Sequence, residues 1–344
     1  MSPTINLILL SSLATGTILT LSSYHWMFAW IGLELNTLAI VPIMSKAHHP
    51  RATEAATKYF LVQAAASSMV LFSALINAQS TGLWDITQLS NEAAKIMLTT
   101  ALSMKLGLVP MHFWLPEVLQ AMPILTMLII TTWQKLAPTT LLLLIWDQIP
   151  TYPIATIGCL SILIGGLGGL NQTQLRKMMA YSSIAHLGWT VTILTISPSL
   201  ALFSLALYIL MTTPTILIMH ISLSKTIKDT TTITTTLPPL TTLFAASLLS
   251  LGGLPPLTGF LPKWLILQEL TLQNLAPLAT TMAVLTLFSL FFYLRVMYTS
   301  AMTLSPNTTP SKNKWRLKTN LNTNLISSLL PTTTLALPML PLMG

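Results

Sequence analysis

Charge is scarce in this chain. Only 16 of its 344 residues are Lys or Arg and 8 are Asp or Glu, 7% in all, while 53% are hydrophobic and the mean hydropathy is +0.72. A soluble domain of this length needs far more polar surface, so the composition excludes that class and leaves an integral membrane protein. Cysteine is nearly absent as well. Cys159 alone closes no disulfide within the chain and builds no zinc or iron–sulfur site, since each of those takes several ligands. A phosphate-binding loop is also missing: Gly165, Gly166, Gly168 and Gly169 do not form GxGxxG and follow no strand, so close helix packing explains them better. At roughly 25 to 30 residues per helix and loop, the length holds about eleven spans and leaves no room for a soluble nucleotide-binding or redox domain.

Long apolar runs fill the chain instead. They predict an all-α, polytopic transmembrane helical bundle with helices near 3–21, 24–45, 57–79, 93–108, 123–145, 150–170, 176–194, 199–223, 238–271, 275–302 and 323–342. The first twenty residues lack a basic n-region and a convincing cleavage site, so they read as a retained first helix. The run 238–271 is too long for an ordinary span and is interrupted by Gly252, Gly253, Pro255, Pro256, Gly259 and Pro262, which predicts one crossing made of two half-helices.

The net charge of +8 sits mostly in short loops, which makes it a topology signal before it is a nucleic-acid signal, and no nucleic-acid partner is expected. Lys46 and Arg51, Arg176 and Lys177, Lys225 and Lys228, and the group Lys312, Lys314, Arg316 and Lys318 all fall on one side by helix parity. The opposite loops carry Asp85, Glu92 and Asp147. The basic side is then matrix or cytoplasm, with the N-terminus inside and the C-terminus outside.

Against this background the ionisable residues within spans stand out: Glu34, Lys105, Lys135 and Lys263. A charge at the bilayer centre costs at least about 2.5 to 3.5 kcal/mol on insertion scales, so each needs a partner, a wet cavity or a function. A buried amine can lose and regain a proton near neutral pH, which makes a lysine there a proton station. For any one of them the alternative is an amine that snorkels to an interface or makes a static ion pair. Glu34 has no basic residue within helical reach, and Lys105 is its expected partner from another helix. His112 and His186 are candidate relays or hydrogen-bonded structural histidines. His48 and His49 are adjacent and lack a completing carboxylate or thiol pattern, so no metal site is expected.

The lysines sit beside two similar interruptions. Leu106-Gly107-Leu108-Val109-Pro110 followed by Leu115-Pro116-Glu117 resembles Leu251-Gly252-Gly253-Leu254-Pro255 followed by Leu261-Pro262-Lys263. Repeated discontinuous helices point to a transport pathway, because freed backbone groups at bilayer depth are tolerated only where they line a cavity or pack in protein. Pro138, just after Lys135, is expected to disrupt its helix locally.

The segments HPRATEAATKYFLVQAAASSMVL (49–71), KLGLVPMHFWLPEVLQ (105–120), LRKMMAYSSIAHLGW (175–189) and LSLGGLPPLTGFLPKW (249–264) resemble the antiporter-like membrane-arm subunits of mitochondrial NADH:ubiquinone oxidoreductase, respiratory complex I. The resemblance covers essentially the whole chain. It implies an antiporter-like fold with two inverted repeats, the first roughly 3–223 with its break near 105–117, the second roughly 123–302 with its break near 252–263, and a C-terminal helix 323–342. It further implies proton translocation coupled to NADH-to-ubiquinone electron transfer. Glu34 matches the coupling glutamate, Lys105 its partner lysine, Lys135 the central lysine and Lys263 the corresponding group of the second repeat. No cofactor is expected in this chain: NADH, FMN, iron–sulfur clusters and ubiquinone belong to other subunits. Expected partners are other membrane-arm subunits, including sister antiporter-like ones, and phospholipids, in the mitochondrial inner membrane with the N-terminus in the matrix and the C-terminus in the intermembrane space. Relatives of this kind have about fourteen helices, so the count here implies a deficit at the N-terminal end. An independent cation/proton antiporter and a non-pumping scaffold subunit are the rival readings.

Overall fold

A computed structural model describes residues 2–46, 48–236, 238–302 and 324–335. Among them every regular element is helical: α1 (Pro3–Leu21), α2 (Trp26–Ser45), α3 (Pro50–Thr81), α4 (Glu92–Leu106), α5 (Trp114–Ala121), α6 (Ile124–Thr131), α7 (Trp133–Leu144), α8 (Thr151–Leu170), α9 (Leu175–Leu194), α10 (Pro198–Ser222), α11 (Ile227–Thr236), α12 (Pro238–Gly252), α13 (Phe260–Leu272), α14 (Ala276–Met302) and α15 (Asn324–Leu335). Among the described residues seven stretches are long and apolar enough to cross a membrane: α1, α2, α3, α6 with α7, α8, α10 and α14. The loop 303–320, the expected helix beyond Leu335 and Gly344 lie outside the described residues.

The chain forms two compact units, one of residues up to Ser161 with Thr190–Ala201, the other of Ile162–Trp189 with residues from Leu202 onward. In the first unit α1 packs on α2, α2 on α3, α3 on α4 and α5, and α7 against α1, α2, α4 and α6. The α1–α2 contact is backbone to backbone: a Cβ on Gly16 would lie 3.0 Å from Gly32 O, and one on Gly32 would lie 2.8 Å from Gly16 O. His25 and His49 are N-caps, their Nδ1 atoms accepting from Met27 N and Arg51 N at 3.2 Å, so both histidines complete helix ends. With Pro50 at the first helical position, that cap starts α3 seven residues earlier than the apolar run alone predicts.

In the second unit α11, α12 and α13 pack on α14, and α12 on α15. The glycines of α8 do what close packing requires. A Cβ on Gly165 would lie 2.8 Å from Ala185 N and 2.9 Å from Tyr181 O, while Cβ atoms on Gly166 and Gly169 would meet Phe288 and Phe292. Helix α11 is absent from the sequence-based expectation. A capping box starts it: the Asp229 carboxylate accepts from Lys225 N at 2.9 Å and Thr226 N at 2.8 Å.

Two interruptions differ from expectation. The segment 123–145 breaks at Thr132 rather than at Pro138, which sits inside α7. A proline ring displaces the carbonyl four residues before it, so the distortion falls on the preceding turn. There the Thr131 and Thr132 hydroxyls donate back to Met127 O and Leu128 O. Pro116 and Pro262 likewise do not break helices. Each is the third residue of its helix, α5 and α13, where a missing N–H costs nothing.

Contacts between loops follow the parity of the spans. Tyr24 and Trp26 pair with Trp84 and Ile86, while Gln148 bonds Thr87 O and Leu89 N; all three loops fall on the acidic side. Thr173 and Leu175 pair with Lys225 and Ile227, both loops on the basic side.

Gly165→Ala should force α8 and α9 apart, because the added methyl faces backbone atoms that cannot rotate away. The expected loss is about 1 to 3 kcal/mol, read as a lower thermal midpoint of the assembled protein and a reduced assembled amount.

Candidate functional site

Helix α4 stops at Leu106 because Gly107 takes the left-handed conformation, φ +76°. The carbonyls at a helix C-terminus have no partner within the helix and carry the negative end of its dipole. Here Gly107 N donates to Met104 O at 3.2 Å and Leu108 N to Ser103 O at 2.9 Å. Two side chains add to these: Trp114 Nε1 donates to Met104 O as well, at 3.2 Å, and the ammonium of Lys135, reaching across from α7, donates to Leu106 O. Lys135 is 1% exposed and lies 5.9 Å from the centre of the Trp114 ring, so cation–π attraction adds to the carbonyl contact.

The second break repeats the arrangement. Gly253, φ +77°, ends α12, with Gly253 N donating to Ser250 O at 3.0 Å. Lys263 Nζ donates to Gly252 O at 2.8 Å, this time from the first turn of α13. His186 of α9 hydrogen-bonds the Leu251 backbone within electrostatic range of Lys263, its ring 5.4 Å from that of Tyr208. Each break also holds one cis X–Pro bond, Val109–Pro110 and Pro255–Pro256.

Lys105 and Lys135 share a cavity of about 10 Å³ whose walls include Asn36, Tyr59, Gln63 and Gln134. Glu34 does not line it, although its neighbours Leu33 and Thr37 do. The half-buried Glu34 carboxylate accepts from Thr37 Oγ1 at 2.9 Å. It makes no ion pair with Lys105, but it lies near enough to act electrostatically on that amine and on Tyr59. The ion pairs present among the described residues instead join Lys58 of α3 to Glu54 and to Glu117 of α5, each at 2.8 Å. His112 does not line that cavity; it is buried in the first break with Nδ1 3.2 Å from Pro110 O.

Arg295 was not among the residues singled out from sequence. It is a charge in the C-terminal third of a 27-residue apolar helix, α14, and carries the same sequence signal as the lysines. Its guanidinium donates to Leu170 O and Gln172 O, closing the C-terminal end of α8. Asn36, uncharged, gave no comparable signal.

Residues 23–289 match the family model described as NADH:quinone oxidoreductase/Mrp antiporter, TM, and residues 290–344 match that of the NADH dehydrogenase subunit 2 C-terminus. The chain belongs to the NADH:quinone oxidoreductase/Mrp antiporter family. Among its relatives, NADH-ubiquinone oxidoreductase chain 2 of Varanus melinus is 63% identical and that of Latimeria chalumnae 55%, over 100% of this chain and 99% of each relative. A chain of respiratory complex I from Thermus thermophilus superposes with a TM-score of 0.84 at 26% identity, over 97% of this chain and 79% of that one. A chain of the Mrp complex from Dietzia superposes with a TM-score of 0.78 at 19% identity, over 87% of this chain and 61% of that one, a likeness of fold.

Adjacent glycines in the second break should respond differently to a methyl group. At Gly252 a Cβ meets only Tyr293 Cδ2, at 3.9 Å, so Gly252→Ala should assemble and turn over normally. At Gly253 the same change costs about 1 to 2 kcal/mol of left-handed strain and crowds the Lys263 side chain, whose Nζ lies 2.8 Å from the added carbon. Gly253→Ala should therefore lower both stability and turnover in assembled complex.

Proposed function

We propose that this chain translocates protons as a membrane-arm subunit of respiratory complex I, driven by NADH-to-ubiquinone electron transfer carried out elsewhere in the complex. The observation that carries this reading is the pair of broken helices, each with a lysine amine on its terminal carbonyl. An amine so placed is stabilised as ammonium by the helix dipole, yet surrounded by apolar protein that favours the neutral form. Modest changes in nearby charge then decide whether it holds a proton. Glu34 supplies such a charge for Lys105. Moving one charge through 100 mV takes about 2.3 kcal/mol, comparable with a pKa change of under two units at about 1.4 kcal/mol each.

The remaining parts of the reading follow from it. NADH, FMN, iron–sulfur clusters and ubiquinone are bound by other subunits, and this chain carries no redox centre. Its neighbours are other membrane-arm subunits, including sister antiporter-like ones, and phospholipids, which suit the exposed apolar faces of α1 and α14. It resides in the mitochondrial inner membrane with the N-terminus in the matrix and the C-terminus in the intermembrane space, an orientation supported by the loop charges.

Lys135→Met keeps a long side chain but removes the proton carrier. In complex reconstituted into liposomes at equal assembly, it should strongly reduce protons moved per electron and, where coupling is tight, electron transfer too. Unchanged stoichiometry at full turnover would exclude Lys135 from the path and favour a scaffold role.

Glu34→Gln deletes the charge facing Lys105, whereas Glu34→Asp keeps it on a shorter arm. The expected order of pumping is wild type, then Asp, then Gln, measured at equal assembly. If Gln matches wild type, or Asp is the worse of the two, Glu34 acts through packing and not through charge.

A further inference from the structure

The cavity between Lys105 and Lys135 contains polar groups that the reading above leaves unused. Asn36 of α2 is 2% exposed, and neither its Oδ1 nor its Nδ2 has a hydrogen-bond partner in the protein; the same is true of Lys105 Nζ, in a side chain 5% exposed. Leaving such groups unmet costs about 1 to 3 kcal/mol apiece, more for a charge. The cavity they line is polar at several points, with Gln63 and Gln134 also on its wall, and its volume of about 10 Å³ is that of a single water. One water needs two to four polar partners, and the wall offers them.

We propose that Asn36 is a positioning residue whose side-chain amide holds one water between Lys105 and Lys135. The proposal rests on the proton-translocation reading. The step it serves balances simply. The Lys105 ammonium gives a proton to the water oxygen as the water gives one of its own to the lone pair of a neutral Lys135 amine. Lys105 ends neutral, Lys135 ends as ammonium, and the water is regenerated. The amide itself exchanges no proton; it fixes the oxygen on a line between the two nitrogens.

Helix α1 takes part in this from outside the cavity. A Cβ on Gly16 would lie 2.5 Å from Asn36 Oδ1, so the bare glycine leaves the amide its place. The α1–α2 backbone contact thus does more than pack two helices: it sets how far the amide can swing away from the lysines. Asn36 is also tied through its main chain, where Gln134 Nε2, one residue before Lys135, donates to Asn36 O at 3.4 Å.

The test uses intact complex reconstituted into liposomes, with Lys135→Met as the reference for a broken path. Asn36→Leu fills the amide's space without a polar atom, and Asn36→Ser retains a hydroxyl that can hold water. At equal assembly Asn36→Leu should slow coupled turnover roughly three- to tenfold and raise the solvent deuterium isotope effect, because proton transfer becomes limiting. Asn36→Ser should recover most of both, and Gly16→Ala should shift both in the direction of Asn36→Leu. A lowered turnover without a changed isotope effect, or no recovery in Asn36→Ser, marks a packing residue and overturns the proposal. Wild-type behaviour of Asn36→Leu beside a failing Lys135→Met overturns it while the functional reading stands; if Lys135→Met is also unaffected, the functional reading itself falls. A high-resolution map of the unmodified complex decides the matter even where a variant does not assemble. Density for a water within about 3.2 Å of both the Asn36 amide and Lys105 Nζ is expected, and its absence overturns the proposal.

Discussion

A helix that ends inside a membrane leaves carbonyls that neither lipid nor the helix itself can satisfy, and the candidate functional residues of this protein gather around two such helix ends. At α4 and α12 the last helical carbonyl, Leu106 O and Gly252 O, is met by lysine, from Lys135 in one case and Lys263 in the other. The choice of amine has a consequence for a proton carrier. An ammonium has three N–H donors, and after losing a proton the amine still has two, so the carbonyl keeps a donor in either state. On the proposed reading the break therefore survives each change of charge, and structure and titration share one residue without conflict.

The two breaks share a backbone plan and differ in wiring. Pro116 and Pro262 each follow the left-handed glycine by nine residues, and the residue after that proline is Glu117 in one and Lys263 in the other. Where that position holds lysine, it reaches the carbonyl of the half-helix before it. Where it holds glutamate, it pairs outward with Lys58, and the carbonyl is left for an amine from α7. In the first unit the amine and the carbonyl thus belong to different helices, so a shift of α7 against α4 would alter their contact. In the second, amine and carbonyl are joined by a short loop, and local rearrangement of that loop would do the same.

How much of this could be read from sequence depends on whether a signal resides in one residue or in a spatial relation. A lysine in an apolar run and a Gly–Pro cluster are each conspicuous alone, which is why Lys105, Lys135, Lys263 and both breaks were legible. Arg295 carries the same signal, while its contact, capping α8 from α14, is a relation in space. Relations were read less well. Glu34 and Lys105 interact through space without an ion pair, Thr132 rather than Pro138 carries the break before α7, and the short helices α5 and α11 escaped a pattern search tuned to spans. Asn36 is the clearest case. An uncharged amide among apolar neighbours has no sequence signature, and only its burial beside two lysines gives it meaning.

The geometry also bears on what can pass. A dehydrated metal cation needs several oxygen ligands, often six or more for a divalent ion. The cavity beside Lys105 has room for about one water and presents two amines, each repelling a cation when protonated. The Glu34 carboxylate, which acts on Lys105, lies outside the wall and is engaged by Thr37. Size and sign therefore act together. A proton needs no coordination shell and travels as a change in which atom holds a bond, so a pair of amines suits it on the proposed reading.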